Sequence, residues 1–361
     1  MAIRNVAVVG LGIGRGHIAE GYAAHPDKFR VEAICDLNSE RLSVIGDDFA
    51  IPVRTNRFEE ILRMPEIEVI DICTPPGVHF SQILAALGAG KQVICEKPLV
   101  GSLADLDRVA KAEAAAPGRV MPIFQYRYGD GLQKAKRIVD AGIAGKAYLA
   151  TVETAWKRGA DYYAVPWRGK LETEFGGVLL THAIHSHDIM TYLLGPVASV
   201  FARTTTRVNP IEVEDCAVAS LAMEDGSLVS LAATLGSQVE ISRLRFCFEN
   251  VTFESGLKPY APGDAPWQII PASPEVAERI EGALADWDPV PSRFAGQLGR
   301  YHEALETGGP LPVTLDDARR SLELVTALFA SAETGQTVEL PIRPDHPKYA
   351  DWRPQLKATA V

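Results

Sequence analysis

"NVAVVGLGIGRGHIAEGY", Asn5–Tyr22, joins a run of β-branched apolar residues to glycines at 10, 12, 14 and 16 and then to a segment with helical spacing. A continuous apolar run of this length reads as a strand buried on both faces. Glycines between such a strand and a helix let the chain turn tightly. They also let backbone N–H groups approach a phosphate at the helix N-terminus. The spacing is G-x-G-x-x-x-G, with Arg15 where the usual fingerprint has its third glycine. The next apolar run, "VEAICD", ends in Asp36. A carboxylate there accepts both hydroxyls of a ribose and repels a 2′-phosphate, although it also suits the N-cap of the helix that follows. The stretch predicts a dinucleotide held by Gly10, Gly12, Ile13, Gly14, Gly16 and Asp36, with NAD favoured over NADP.

Working outward, "VIDICT", "QVICEK" and "RVMPIF" are further buried-strand runs, each separated from the last by a helical pattern. Strand–helix alternation predicts a doubly wound parallel sheet over residues 1–124. From residue 125 the pattern changes. One helix and one strand lead to the histidine-bearing segment, and then strands follow one another across turns such as "EDGS". This predicts a second α/β domain, 125–361, built on a large, mostly antiparallel sheet. The segment from Lys258 to Pro291 reads as long loops around one helix, and "LDDARRSLELVTALFASAETG" as a strong closing helix.

A net charge of -10 argues against nucleic-acid or anionic-membrane partners. Five cysteines without a CxxC pair suit reduced thiols. The chain begins on a strand, with no signal-peptide pattern and no long apolar span, so a cytoplasmic protein is expected.

Ligands of open α/β sheets bind at the carboxyl ends of the strands. Two motifs fall there: "CTPPGVH", with Thr74, Pro75 and His79, and "CEKP", with Glu96 and Lys97. The first stiffens a turn; the second brings a cation to where a nicotinamide would sit. Further on, "GGVLLTHAIHSHDIMTYLLG", Gly176–Gly195, carries three histidines. On a helix starting near Leu180, Thr181, His185, Asp188 and Tyr192 share one sector of about 60°. His182 reads as a satisfied, partly buried imidazole and His187 as a surface one. The three rings do not converge and no thiolate cluster lies nearby, so no metal is expected.

Together these motifs resemble the glucose–fructose oxidoreductase/inositol dehydrogenase/rhizopine-catabolism family, written Gfo/Idh/MocA. The likeness runs from residue 6 to about residue 342 and includes the closing "VTLDDARRSLELVTALFASAETGQTVELPI". It implies a Rossmann domain, a C-terminal domain whose open sheet mediates homodimers or homotetramers, and NAD(P)-linked oxidation or reduction of sugars, cyclitols and related polyols. The resemblance places the proton-transferring residue at His185, beside Lys97. It puts Thr181 and Ala183 where the family's D-x-G-x-H-x-x-D motif has Asp and Gly. Two other readings share the motifs: a glycoside-cleaving enzyme that oxidises its sugar transiently, and a non-catalytic sugar sensor. The loop "AWKRGADYYAVPWRGKLETE" offers Tyr163, Trp167 and Arg168 to a substrate, and "QYRYGD" offers Tyr126 and Arg127; aromatic faces suit sugar C–H surfaces, and cations suit hydroxyls or an acidic group.

Overall fold

Six short strands pair in parallel in the computed structural model, which describes residues 2–352. They are β1 (Arg4–Val9), β2 (Phe29–Cys35), β3 (Val53–Thr55), β4 (Val69–Ile72), β5 (Gln92–Cys95) and β6 (Val120–Pro122). Their order is β3-β2-β1-β4-β5-β6, so the chain reverses direction across the sheet between β1 and β4. Such a switch point opens a crevice at the strand ends. Val6–Val9 and Val69–Ile72 are buried throughout, as a sheet covered on both faces requires. The loop after β1 is clipped to both neighbouring strands: Gly10 N–H donates to Cys35 O (2.8 Å), and Cys73 N–H to Val9 O (2.7 Å).

The second sheet has eight strands: β7 (Ala147–Lys157), β8 (Val197–Thr205), β9 (Cys216–Met223), β10 (Leu228–Thr234), β11 (Gly236–Phe248), β12 (Val251–Glu254), β13 (Gln268–Pro271) and β14 (Val338–Glu339). All its pairings are antiparallel except β7 with β10. Along β10 the side chains alternate: Val229, Leu231 and Ala233 are buried, while Leu228, Ser230 and Ala232 face outward. One face is therefore packed and the other open. The closing helix, Leu315–Thr334, covers the packed face beside β8. Thr314 and Asp317 form a capping box at its start, and Gly335 ends it in a left-handed turn.

The expected single helix in 258–291 is Pro274–Ala283, but β13 precedes it. Among the described residues, no helix is long and apolar enough to cross a membrane.

Candidate active site

The glycine loop divides its roles by position. Gly10 has φ +90°, and a Cβ there would come within 2.7 Å of the Cys73 carbonyl and Thr74 N. Only glycine permits that turn at that distance from the neighbouring strand. A Cβ on Gly12 would meet nothing within 4 Å, which leaves the backbone open to a close ligand. A Cβ on Gly14 would lie 2.8 Å from Val8 Cγ1, so Gly14 lets the helix lie against β1. The three duties of a dinucleotide fingerprint are thus met one residue early, at Gly14 rather than at Arg15. Gly16 has only ordinary contacts. Ile13 is exposed at the loop. The following helix runs through a π-helical turn, His17–Gly21.

Asp36 stands at the end of β2. Its Oδ2 accepts the Leu11 N–H (2.7 Å) and faces Arg41 (3.1 Å); its Oδ1 accepts the Asn38 N–H (2.8 Å). The cap of the next helix is Asn38, not Asp36.

Beneath the loop lies a buried charged cluster. His17 Nδ1 meets Asp71 Oδ2 at 2.8 Å, and Nε2 meets Glu96 Oε1 at 2.9 Å. Tyr22 donates to the same Asp71 oxygen at 2.8 Å. The second Glu96 oxygen accepts the Lys97 backbone N–H at 3.1 Å. Burial opposes charge on His17, but Asp71 and Cys73 outweigh it and raise the imidazole well above the ordinary histidine range. Burial pushes the Glu96 carboxyl up; the His17 hydrogen bond and charge more than reverse that. A cation bridging two anions satisfies both in a dry site. His17, Asp71 and Cys73 are also grouped closely enough to hold a metal, yet their ligand atoms already bond one another.

Lys97 leaves this cluster at the end of β5, and its Nζ donates to Thr181 O (2.7 Å). Burial lowers its pKa, and Glu96 opposes the fall. Thr181 is not on one continuous helix with His185. A short helix, Val178–Thr181, stops; His182 has φ -122° and ψ -60°; a second helix spans Ile184–Leu194. The 100° register therefore does not carry across. The Thr181 hydroxyl donates to Gly177 O (2.7 Å) and meets His182 Nδ1 (2.6 Å), not His185. His182 is buried between Trp156 and Tyr162.

His185 stacks on Tyr126, with ring centroids 4.2 Å apart. Its Nδ1 is enclosed and has no hydrogen-bond partner. Burial, then the charge of Lys97, lowers its pKa well below the usual value. His187, read above as a surface residue, is buried, with neither ring nitrogen bonded and burial pushing its pKa down to about 3. The reason is that Ile184–Leu194 is packed on nearly every side, so it has no solvent face. Asp188 does not open to a cleft. It accepts two hydrogen bonds from Arg127, at 2.7 and 2.6 Å, and Arg127 also reaches Asp317 at 3.0 Å. Arg127 is therefore locked in a buried ion pair rather than offered to a pocket.

The turn Thr74–Pro75 leads into a helix at Pro76, and His79 ties the two strand ends together, facing Thr74 O (2.7 Å) and Pro98 O (3.0 Å). In the loop that follows β7, Arg168 bonds the Tyr162 hydroxyl and lies 4.4 Å from the Trp167 ring centre; Tyr163 is half-buried. Sequence reasoning missed His17, Asp71, Glu214 and Asp215. Glu214 accepts the Gly177 and Leu179 N–H groups (2.9 and 3.0 Å) and so holds the short helix that presents Thr181 O to Lys97. Asp215 accepts three N–H groups, from Arg207, Val208 and Asn209, each at 2.8 Å. One signal was present: Asp71 is a carboxylate inside the otherwise apolar run "VIDIC", and a charge there needs a buried partner.

A family model described as "Oxidoreductase family, NAD-binding Rossmann fold" matches residues 4–124, and "GFO/IDH/MocA C-terminal domain" matches 132–254. Inositol 2-dehydrogenase of Salmonella typhimurium is 28% identical over 354 residues, 94% of this chain and 97% of that protein. D-apiose dehydrogenase of Rhizobium rhizogenes is 25% identical over 322 residues, 86% and 90%. The crystal structure of the WlbA dehydrogenase from Bordetella pertussis, in complex with NADH and UDP-GlcNAcA, superposes with a TM-score of 0.83 at 27% identity, covering 95% of this chain and all of that one.

Proposed function

The chain belongs to the Gfo/Idh/MocA family of NAD-binding oxidoreductases, and on that premise we propose that it interconverts a secondary alcohol and a ketone on a sugar, cyclitol or related polyol. The observation that carries the reading is the placement of Lys97 at the end of β5, where its Nζ donates to Thr181 O at 2.7 Å, with the buried His185 ring close enough for the ammonium charge to help keep it neutral. The relatives named as inositol and D-apiose dehydrogenases support the substrate class.

The loop fits the cofactor, because Gly10 makes the tight turn, Gly12 leaves an open backbone edge and Asp36 stands at the end of β2 where a ribose would lie. When bound, the nicotinamide supplies the hydride chemistry. The protein supplies position and charge. Lys97 Nζ, which now donates to Thr181 O, turns one of its three donors to the substrate oxygen and stabilises its developing negative charge. His185 takes the hydroxyl proton in oxidation and returns it in reduction. With Nδ1 enclosed, the exchange is placed at Nε2. Tyr126 fixes the ring plane by stacking, and Tyr163, Trp167 and Arg168 border the substrate. Thr181 acts through its carbonyl, on Lys97, rather than through its hydroxyl.

Incubation with NAD and a polyol and sugar panel tests the reading. The expected result is NADH formed in proportion to ketone. Products of glycoside cleavage without net NADH, or binding without turnover, would overturn it.

NAD preference is proposed to rest on Asp36. In fluorescence titrations Asp36→Ala should narrow the gap between NAD and NADP, because it removes ribose hydrogen bonds and 2′-phosphate repulsion together. Tighter NADP binding by the wild type would reject the assignment.

The open face of the second sheet suits a homo-oligomer interface. Val218 and Leu228 are exposed there at 57% and 54%, beside Phe201. Five free cysteines accord with a cytoplasmic setting.

A further inference from the structure

The substrate loop and the loop after β8 border a cavity of about 760 Å³, within the size range of small-molecule sites. Its lining carries four cations, Lys157, Arg158, Arg168 and Lys170, against one acid, Glu212. The whole chain has the opposite balance, 36 basic residues to 46 acidic. Glu212 is turned to the backbone, where its Oε2 accepts the Leu171 N–H at 3.1 Å.

The two arginines are crowded rather than dispersed. The Arg168 and Arg158 guanidinium carbons lie 3.9 and 5.1 Å from the centre of the same Tyr162 ring. Arg158 is held there by Glu240 (2.6 Å) and the Tyr260 hydroxyl (3.1 Å), and Arg168 by the looser pair with Glu174 (3.5 Å). Two buried side-chain atoms on the lining have no hydrogen-bond partner: Arg158 Nε and Asn209 Nδ2. Both are donors. A buried donor without an acceptor costs free energy. Two unpaired donors beside crowded cations favour an anion on this wall beyond the carboxylates that already hold the arginines.

The wall is one ring away from the proposed chemistry. Tyr162 packs on His182 (centroids 5.6 Å), His182 bonds Thr181, and the Thr181 carbonyl holds Lys97 Nζ. After burial, the charges of Arg158, Lys97 and Arg168 lower His182 in turn, so the cations act on the same space.

We propose that Arg158, Arg168 and Asn209, with Lys157 and Lys170 at the rim, form an anion subsite for a carboxylate or phosphate carried by the substrate away from its reacting carbon. This rests on the sugar or polyol reading above and narrows it to an acidic or phosphorylated member of that class. Guanidinium pairs recognise either anion in two-point fashion.

Binding, not turnover, tests it. The full chain loaded with NADH is titrated by calorimetry with D-glucuronate, D-glucose 6-phosphate and D-glucose. At least one charged probe should bind roughly tenfold or more tightly than glucose, the scale of one charge-assisted hydrogen bond. Which one does so tells carboxylate from phosphate. Arg158→Gln should remove most of that preference and leave glucose binding unchanged; Arg168→Gln, at a residue that also borders the sugar, should remove the preference whatever it does to glucose itself. Because Arg168→Gln leaves the buried Glu174 without its partner, the exposed pair Lys157→Gln/Lys170→Gln is measured as well; it should weaken the charged probe and flatten its salt dependence. Equal or tighter binding of glucose, a charged-probe preference that survives all the folded variants, or no binding of either charged probe up to the order of 10 mM would each overturn the subsite. A failed polyol panel, by contrast, rejects the oxidoreductase reading without reference to these affinities.

Discussion

Lys97→Met is expected to lower kcat for alcohol oxidation by roughly 10²–10⁴-fold, and His185→Ala by a similar factor, the usual scale for a positioned acid–base group. The two losses should differ in kind. Lys97 is anchored through its backbone N–H to Glu96 and through its ammonium to Thr181 O. Its removal takes away the cation beside the reacting oxygen, so kcat and kcat/KM should fall together while KM stays near its starting value. His185→Ala removes the proton acceptor and also the ring stacked on Tyr126, and cofactor affinity should change far less than turnover.

The pH profile separates them further. Oxidation needs His185 neutral, and its pKa is held well below the ordinary histidine value by burial and by Lys97. The acid limb of kcat/KM should therefore lie below the usual histidine range. Oxidation also needs Lys97 protonated, and burial lowers that pKa from the ordinary lysine value. Activity should thus decline on the alkaline side before an ordinary lysine titrates. In Lys97→Met the alkaline limb should vanish, and the acid limb should move up, because a charge that had opposed imidazolium is gone. Near-normal turnover in His185→Ala would reassign the base.

The residues that were legible in the sequence are those whose physics is local. The run Val6–Val9 with its glycines announces a buried strand and a tight turn, because both properties are written in consecutive residues. Lys97 is legible because a charge after "QVIC" must lie at a strand end. The strand Val53–Thr55 was not, since three residues give no periodicity to read. Nor was the break between Thr181 and Ile184. No glycine or proline marks it, and it is imposed from outside, by Glu214 on the Gly177 and Leu179 N–H groups and by Lys97 on the Thr181 carbonyl. His17 hid for a similar reason. On its own helix nothing sets it apart from the polar Arg15 and Glu20, and its two carboxylate partners come from β4 and from the end of β5. The third glycine duty falls to Gly14, and a π-helical turn follows at His17–Gly21; spacing alone displays neither.

Arg127 and Asp188 pose the same problem at longer range: they are 61 residues apart in sequence and form a two-point pair almost wholly removed from solvent. The geometry makes this pair a brace between three elements of the second domain rather than part of the chemistry. Arg127 follows β6, Asp188 lies on the helix that carries His185, and Asp317 opens the closing helix. Burial works against the guanidinium charge, but Asp188 and Asp317 outweigh it and hold Arg127 protonated at every accessible pH. Arg127→Met leaves two carboxylates facing each other in a dry site, and should cost about 3–5 kcal/mol of stability, measured by urea unfolding at pH 8. The deficit should shrink on acidification. Burial raises the Asp188 carboxyl in the folded state, and without Arg127 the main opposing charge is gone. A carboxyl whose folded pKa is raised contributes stability below its unfolded pKa and loses it as pH climbs through the folded value. The double variant Arg127→Met/Asp188→Leu should recover much of the loss at pH 8, because it removes the uncompensated charge instead of stranding it. Two outcomes would count against this account. If the double variant is as unstable as Arg127→Met, the pair is not what the site was built around. If it folds normally but loses turnover as completely as His185→Ala, then Asp188 takes part in proton transfer, and the base has been placed one helical turn too early.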